Sequence, residues 1–379
     1  MEQCKVYKRC GGCQLQNMDY KSQLSFKRKT LDGLLSPFCR VEGIKGMNNP
    51  CHYRNKVQAA FYYDIKRRKI QSGIYQSTSQ SIVPIESCML EDKKSDEIIQ
   101  SIKKLAQSFK LMPYDIRKGT GFLRHVMVRR GFKTNEIMVV IVSATPVFPA
   151  RNNFVKALLK EQPEITTIIH NINKTDTNLF ITEDSRVLYG KGYIEDILCG
   201  KRFRISPSSF YQVNPVQCEV LYNTAMEFAG LDGTQTVFDA YCGTGTIGLI
   251  ASDKARQVLG VELNKEAVRD AISNARLNSI KNCYFKCADA GEFIDVLVKE
   301  NERFDVAFLD PPRAGSTPKF LSALIRLRPE RIVYISCNPQ TLARDLKQLS
   351  KAYKVKRIQG VDMFPFTKHI EAVALLEKR

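Results

Sequence analysis

The pattern of hydrophobic and polar positions changes near residue 205. Before it, short runs of β-branched and aromatic residues alternate with polar ones and are bounded by turn residues, which is typical of strands. These runs lie at 53–63, 69–75, 122–131, 135–144, 165–173, 186–192, 193–200 and 201–206. Apolar spacing of the helical kind occurs at 93–110 and 151–161. The pattern therefore predicts an α+β domain built on an antiparallel sheet.

After residue 205 strands and helices alternate. The predicted strands lie at 236–241, 257–263, 283–289, 304–310 and 331–337, with helical segments such as 264–280 and 339–349 between them. A last pair, 354–364 and 369–378, is expected to close the sheet as a hairpin. This alternation predicts an α/β, doubly wound, Rossmann-like domain that binds its ligands at the carboxyl ends of the strands.

Composition narrows the class of protein. The 379 residues are 44% hydrophobic, which indicates a globular chain with room for two cores. The longest apolar run, 137–144, is too short to span a bilayer, and the first residues have no apolar signal core. We therefore expect a cytoplasmic protein whose 12 cysteines are thiols or metal ligands rather than disulfides.

The net charge of +19 favours a polyanionic partner. Residues 1–70 hold 15 basic and 5 acidic side chains, and the basic run 66–69 follows the aromatic residues 61–63. Cations interleaved with aromatic rings suit RNA, through phosphate contacts and base stacking. A solvated basic face explains the charge alone equally well, whereas a membrane surface is disfavoured because no basic amphipathic helix stands out.

A glycine-rich turn follows the strand at 236–241. Gly243 and Gly245 allow the backbone to bend and a ligand to approach, and Glu262 ends the next strand, where an acid can accept both hydroxyls of a ribose. Nicotinamide cofactors use a similar loop, but the order D-x-x-C-G-x-G-x and the "LDPP" at 309–312 favour S-adenosylmethionine. Arg313 follows in place of the Tyr or Phe that is usual in amino-methylating enzymes, which points to methylation at carbon.

A cysteine stands at the tip of a predicted core strand, in "YISCNP". Cys337 in isolation fits buried packing, but beside a cofactor loop and Asp310 it fits a nucleophile. A thiolate that adds to carbon 6 of uracil makes carbon 5 nucleophilic, and a base must later remove the carbon 5 proton. Glu371 in "HIEAVALL" suits that base.

Three cysteines lie within ten residues near the start. Cys4, Cys10 and Cys13 follow the pattern C-x5-C-x2-C, and Cys88 is a fourth candidate 75 positions after Cys13. Four thiolates suit either tetrahedral zinc or an iron–sulfur cluster, and their spacing does not choose between the two.

The chain resembles the RNA uracil-5 (5-methyluridine) methyltransferases over nearly its whole length, and most of all the iron–sulfur branch that acts on 23S ribosomal RNA. The resemblance rests on "CGGCQLQ", "YRNK", "LRHVMVR", "SPSSFYQVN", "DAYCGTGTIGL", "LDPPRAG", "YISCNP" and "HIEAVALL" in this order. The TRAM domain of larger members is not expected, because the cysteine pattern begins at residue 4.

The resemblance implies a set of site residues and domains. It implies a 4Fe-4S cluster on Cys4, Cys10, Cys13 and Cys88; S-adenosylmethionine contacts from Gln212, Tyr241, Glu262 and Asp310; Cys337 as nucleophile; and Glu371 as proton acceptor. The expected domains are a cluster segment at 1–40 with Cys88, an RNA-binding domain at 41–205, and a methyltransferase domain at 206–379. We expect a monomer that modifies a uridine of 23S ribosomal RNA.

Three other functions fit parts of the sequence. A uridine of transfer RNA is an alternative target, since some cluster-bearing relatives modify transfer RNA. Cytosine-5 methylation also needs a cysteine adduct, but those RNA enzymes usually carry a second cysteine that "LDPPR" does not supply. A non-catalytic ribosome-assembly factor would have no need of Cys337 and Glu371.

Overall fold

The structure, a computed structural model, describes residues 3–77, 79, 81–175 and 180–379. The helices are α1 Tyr7–Cys10, α2 Tyr20–Leu35, α3 Lys93–Ser108, α4 Arg151–Glu161, α5 Pro215–Ala229, α6 Thr246–Ala251, α7 Lys265–Leu277, α8 Ala290–Lys299, α9 Pro318–Leu327 and α10 Pro339–Leu349. The strands are β1 Val41–Lys45, β2 Lys56–Asp64, β3 Lys69–Tyr75, β4 Ile82–Pro84, β5 Leu123–Arg130, β6 Ile137–Ser143, β7 Thr167–Ile172, β8 Ser185–Tyr189, β9 Ile194–Leu198, β10 Lys201–Ile205, β11 Thr236–Ala240, β12 Gln257–Glu262, β13 Cys283–Cys287, β14 Val306–Leu309, β15 Arg331–Ser336, β16 Tyr353–Val361 and β17 Glu371–Lys378.

The chain forms two compact units. The first contains residues 1–17, 50–197 and 204–215, and the second contains 18–49, 198–203 and 216–379. Within the described residues, no helix has both the length and the apolar character needed to cross a bilayer.

The first unit is built on a sheet with the order β4-β3-β2-β5-β6-β7-β8. Its strands pair antiparallel except for β6 and β7, which pair parallel. The prediction of a wholly antiparallel sheet is therefore wrong at this pair, because helix α4 carries the chain back across the sheet between the two strands. Isoleucines of α3, such as Ile98 and Ile102, pack on β5 residues such as Val126 in the core of this unit.

The second unit contains a sheet with the order β1-β16-β17-β15-β14-β11-β12-β13. Strands β11 to β15 are parallel, as the alternating pattern predicts. Strand β17 lies between β15 and β16 and runs antiparallel to both. Strands β16 and β17 therefore form the expected hairpin. The sheet therefore belongs to the α/β methyltransferase type of fold.

Helix α2 and strand β1 extend the second unit. The hydrophobic pattern does not predict α2, because its buried stripe consists of Gln23, Lys27, Leu31 and Leu35. Two of these four positions are polar, so the apolar period of a helix is interrupted. The Lys27 ammonium is fully buried 2.5 Å from the Asp362 carboxylate, which neutralises its charge in the interior.

Candidate active site

The register of the second sheet brings the predicted site residues to one edge. Ala240 pairs with Val261 and Leu309, Leu309 pairs with Tyr334, and Ser336 pairs with Ala372. Tyr241, Asp310 and Cys337 each follow directly after one of these strands, while Glu262 ends β12 and Glu371 begins the antiparallel β17. Because neighbouring strands lie about 4.8 Å apart, the row from Glu262 to Cys337 spans about 14 Å, which is the scale of a nucleoside cofactor.

The glycine turn is shaped to receive a ligand. Gly243 and Gly245 have φ values of 55° and 79°, which only glycine adopts without strain. Among the described atoms, none lies within 4 Å of the place that a Cβ on Gly243 would occupy, whereas one on Gly245 would lie 2.9 Å from the Phe285 ring. The turn is thus open toward a ligand at Gly243 and closely packed at Gly245.

The Glu262 carboxylate is fixed beside this turn. It accepts hydrogen bonds from the backbone N–H groups of Gly243, at 3.1 Å, and Asn264, at 2.8 Å. A carboxylate held by two amides is already oriented before a ligand arrives, and its remaining lone pairs suit two neighbouring hydroxyl groups. This geometry fits the predicted contact with a ribose.

Tyr241 has a strained backbone at the end of β11. Its φ is 64°, an uncommon value for a bulky residue that often marks a functional turn. The ring lies 5.3 Å from the Phe320 ring, and the hydroxyl donates to Ser316 at 3.4 Å. Burial raises the pKa of this hydroxyl. The side chain is therefore anchored on its far side, and its role against a cofactor stays a prediction.

Asp310, Cys337 and Glu371 act on one another electrostatically. Burial raises the pKa of Asp310 to about 7. Burial, and secondarily the Asp310 charge, raises the pKa of Glu371 to about 8, and the side chain is 6% exposed. Burial first, and then the charges of Glu371 and Asp310, raises the pKa of the Cys337 thiol. The sheet thus brings the predicted nucleophile and the predicted base into one acidic cluster.

The local sequence holds Cys337 between a strand and a helix. The Ser336 hydroxyl bonds both the carbonyl and the N–H of Asn338, at 3.0 and 3.2 Å. The Asn338 side chain caps α10 by accepting a hydrogen bond from Gln340 N–H at 3.1 Å. Pro339 occupies the first turn of α10, where its missing N–H costs nothing because a first-turn N–H has no partner within the helix. The half-buried thiol of Cys337 is therefore held at a rigid junction.

Arg313 supplies positive charge beside this cluster. It lowers the pKa of both Cys337 and Glu371, in opposition to burial and the neighbouring acids. Its carbonyl accepts from the Asn338 side chain at 3.1 Å and from Thr341 at 3.3 Å, which fixes the backbone of the "DPPR" turn against the start of α10.

Asp239 is the buried acid of the D-x-x-C-G-x-G-x motif, which the sequence analysis did not name as a site residue. It is 0% exposed; one carboxyl oxygen accepts from Gly248 N–H at 2.9 Å, and the other has no hydrogen-bond partner among the described residues. Burial, and then the charges of Asp310 and Glu262, raises its pKa to about 8. Its place as the last acid of β11 before a glycine turn was the available signal.

Gln212 belongs to the first unit and lies in the irregular segment before α5. The preceding "SPSS" of this segment is held by Arg129, which donates to the carbonyl oxygens of Ser206 and Ser209 at 3.3 and 3.0 Å. Arg129 is 1% exposed, so it anchors backbone rather than contacting a phosphate. The cofactor contact predicted for Gln212 stays a prediction.

The four predicted metal ligands all belong to the first unit. Burial, followed by the charges of Cys10 and Cys4, raises the pKa of Cys13 to about 12, and Cys13 contributes in turn to the raised pKa of Cys88. Cys13 therefore interacts electrostatically with the other three thiols. No group of three or more His, Cys, Asp or Glu side chains within the described part of the chain is arranged to hold a metal ion.

The row of acids suits a cationic cofactor. The buried carboxyl groups of Asp239 and Glu371 and the half-buried one of Asp310 lie along one sheet edge with the ribose-type acid Glu262. S-Adenosylmethionine carries a sulfonium and an ammonium group, whose positive charges are stabilised by nearby carboxylates. When bound, this cofactor supplies an electrophilic methyl group, and a thiol next to a buried base is the arrangement for covalent catalysis.

Relatives that match almost the whole sequence are described as RNA methyltransferases. An "uncharacterized RNA methyltransferase" of Clostridium tetani is 43% identical over 378 residues, which is 98% of this chain and 82% of that protein. Another with that description, from Caldanaerobacter subterraneus, is 42% identical over 99% of this chain and 84% of its own length.

One solved structure matches almost the whole fold. It is the Pyrococcus abyssi tRNA (uracil-54, C5)-methyltransferase in complex with S-adenosyl-L-homocysteine, with a TM-score of 0.83 and 31% identity over 96% of this chain and 85% of that one. The model of the tRNA (uracil-5-)-methyltransferase family matches residues 172–379, more than half of the chain. The protein described here therefore belongs to this family of S-adenosylmethionine-dependent RNA uracil-5 methyltransferases.

Proposed function

We propose that this protein methylates carbon 5 of a uridine in 23S ribosomal RNA, with Cys337 as nucleophile and Glu371 as proton acceptor. The observation that carries the proposal is the junction of β15 and β17, which sets the thiol beside a buried carboxyl group of raised pKa. The uridine must leave its stack, because a thiol cannot reach carbon 6 within a helix.

The chemistry balances with these two residues. The Cys337 thiolate forms a bond to carbon 6, and the electron pair of the carbon 5–carbon 6 double bond moves onto carbon 5 and oxygen 4. Carbon 5 would then take the methyl group from the sulfonium of S-adenosylmethionine, whose methyl–sulfur bond would break to leave a neutral thioether. Glu371 accepts the carbon 5 proton as the carbon 6–sulfur bond breaks, which restores the double bond and returns the thiolate. The Arg313 charge favours the anionic forms of both groups, since it lowers the pKa of each.

Four residues are proposed to hold S-adenosylmethionine. Glu262 binds the ribose hydroxyls, Tyr241 packs on the cofactor, Asp310 orients the methionine ammonium or the base, and Gln212 holds the methionine end. Support comes from the oriented Glu262 carboxylate and from the acidic sheet edge. The Pyrococcus enzyme, which bears S-adenosyl-L-homocysteine, has the same fold.

A 4Fe-4S cluster on Cys4, Cys10, Cys13 and Cys88 is proposed as a structural element, since the reaction moves no electrons. The electrostatic interactions of Cys13 with Cys4, Cys10 and Cys88 support it, and the donor set is of the type that such clusters use. Burial raises the thiol pKa of Cys10, Cys13 and Cys88, so these three thiols would release protons when a metal binds. Protein prepared without oxygen should absorb broadly near 400 nm; a colourless protein that contains zinc would refute the cluster.

A uridine of transfer RNA is the second candidate target. It is favoured by the family model and by the description of the Pyrococcus enzyme, which acts on uracil 54 of tRNA. Mapping of 5-methyluridine in both RNA classes, from cells with and without the gene, separates the two candidates. Loss of methylation from 23S RNA supports the proposal, and loss from tRNA alone replaces it with the second candidate.

Labelled methyl transfer tests the reaction itself. The wild-type protein should transfer label to RNA from the deletion strain, and 5-fluorouridine in that RNA should trap a covalent protein–RNA complex that Cys337→Ala cannot form. Full activity of Cys337→Ala would refute the adduct mechanism.

A further inference from the structure

A large groove in the first unit is not explained by the methyl-transfer site. Its volume is about 1000 Å³, and its walls come from the β2–β3 hairpin, the segment 112–121 and the start of β5. All of these elements belong to the first unit. The hairpin also carries the basic run 66–69 at its tip, next to the groove residue Ile65.

The groove exposes rings and aliphatic side chains that a folded protein normally covers. Tyr63 is 36% exposed, Tyr75 49%, Ile65 78% and Ile116 54%. A cluster of exposed apolar side chains in a concave surface marks a binding site. The large share of aromatic rings indicates a ligand with flat faces, because rings stack on rings.

Three rings of the groove contact one another, with His125 between Phe180 and Tyr75. The His125 ring lies 4.6 Å from the Phe180 ring, with 31° between their planes, and 5.9 Å from the Tyr75 ring, with 67° between their planes. Tyr75 is thus supported from one side by His125, while about half of its surface faces solvent. This leaves one open aromatic platform at the wall of the groove.

The charge of the groove is positive. Arg117, Lys118 and Arg124 line it together with one acid, Asp115, whose carboxylate already accepts from the N–H groups of Arg117 and Lys118. The Arg124 guanidinium is fixed over the Tyr114 ring at 4.8 Å. An anionic ligand with flat rings satisfies both the charge and the aromatic surface, and single-stranded nucleic acid is such a ligand.

His125 adds a polar group for recognition. Its Nδ1 is buried and has no hydrogen-bond partner among the described residues. Burial, and then the Arg124 charge, lowers its pKa to about 4, so the ring is neutral at physiological pH. A buried, neutral ring nitrogen without a partner costs free energy unless a ligand bonds to it.

We propose that this groove binds an unpaired nucleobase of the substrate RNA, other than the methylated uridine, with the base stacked on Tyr75 and its edge bonded to Nδ1 of His125. The identification of the RNA as substrate rests on the proposed function, whereas the binding of a single-stranded base does not. The groove thereby distinguishes between RNAs by the identity of an unpaired base other than the methylated uridine.

Binding of short, fluorescently labelled single-stranded RNA to the full-length protein tests the groove. Tyr75→Ala should weaken binding about 5- to 150-fold, which is the range for loss of one base–aromatic stack. Tyr189→Ala is the matched control, because Tyr189 is 44% exposed on the same unit but does not line the groove. Equal affinity of Tyr75→Ala and the wild type would overturn the proposal.

His125→Phe keeps a ring at this position but removes the nitrogen. It should bind RNA nearly as tightly as the wild type while losing the preference for one base at a single position of the oligonucleotide. A preference unchanged by His125→Phe would remove His125 from the recognition of the base edge.

The first part of a scan with abasic sites uses only the wild-type protein, so it does not depend on the folding of a variant. One abasic position in the oligonucleotide should weaken binding to the wild-type protein, and Tyr75→Ala should be insensitive to that position. If the wild-type protein binds every abasic oligonucleotide equally well, its surface contacts phosphates alone and the proposal is overturned. The proposal is also overturned if the groove binds a protein but no RNA. If no RNA is methylated while these binding results hold, the proposed function fails and the groove assignment stands.

Discussion

The raised pKa of Glu371 predicts a specific dependence of stability on pH. Its pKa is about 8 in the folded protein, against an ordinary value of 4.5, and burial is the main cause. Between these values the folded state holds a proton that the unfolded state has released, so stability falls as pH rises through this window. A shift of this size corresponds to about 5 kcal/mol, since one pKa unit is about 1.4 kcal/mol.

The substitution Glu371→Gln removes this titration and keeps the shape of the side chain. We expect the free energy of unfolding of the variant to increase by about 4 kcal/mol relative to that of the wild type between pH 5 and pH 8.5, because part of the wild-type titration already lies below pH 5. Urea unfolding followed by circular dichroism measures it, and tyrosine fluorescence is a second probe because the chain has no tryptophan. The change with pH, rather than the value at one pH, carries the test.

Glu377→Gln is the matched control on the same strand. Glu377 is 40% exposed and pairs with Lys356 at 3.2 Å, so its removal should change stability by less than about 1 kcal/mol at every pH. A difference between Glu371→Gln and the wild type that stays constant from pH 5 to pH 8.5 would refute the reasoning. The same shift predicts that kcat/KM for methyl transfer falls about tenfold per pH unit below about pH 8, because the base must be ionised.

Three further predictions concern single residues. Cys337→Ala should abolish methyl transfer while leaving S-adenosylmethionine affinity within about twofold, as measured by calorimetry; loss of both would indicate a folding defect instead. Glu262→Ala should weaken cofactor binding at least about tenfold in the same titration, since it removes an oriented acceptor at the Gly243 turn, and unchanged affinity would exclude a ribose contact. Lys27→Met leaves the Asp362 carboxylate buried without its cation and should lower the free energy of unfolding, measured in urea, by about 3–5 kcal/mol. The double variant Lys27→Met and Asp362→Leu should recover most of that loss. If it recovers none, the ion-pair argument is wrong.

The local pattern predicted most elements correctly, and it did so for a physical reason. In the second unit the central strands β11, β14 and β15 are buried and helices such as α9 and α10 have one apolar face, so the residue order reports these elements directly. The turn residues act locally as well, since Gly243 and Gly245 adopt φ values that other residues avoid. The strand end that carries Cys337 was therefore recognisable from "YISCNP" alone.

Where the pattern failed, long-range contacts decided the structure. Helix α2 escaped prediction because Gln23 and Lys27 occupy its buried stripe. Lys27 is stabilised there by Asp362 and by the Phe364 carbonyl, which lie 335 and 337 positions away and are invisible to any local period. The parallel pairing of β6 with β7 likewise depends on the path of α4 between them.

The sequence by itself determined the types of chemical group at the site: a thiol at a strand end, acids at neighbouring strand ends, and a glycine turn. Only the tertiary structure decided which of them meet and with what reactivity. Strand β17 enters between β15 and β16 and so sets Glu371 beside Cys337, 34 positions earlier in the chain. Burial then raises the pKa of Glu371 to about 8, because desolvation penalises a charge according to its whole surroundings and not its neighbours in sequence.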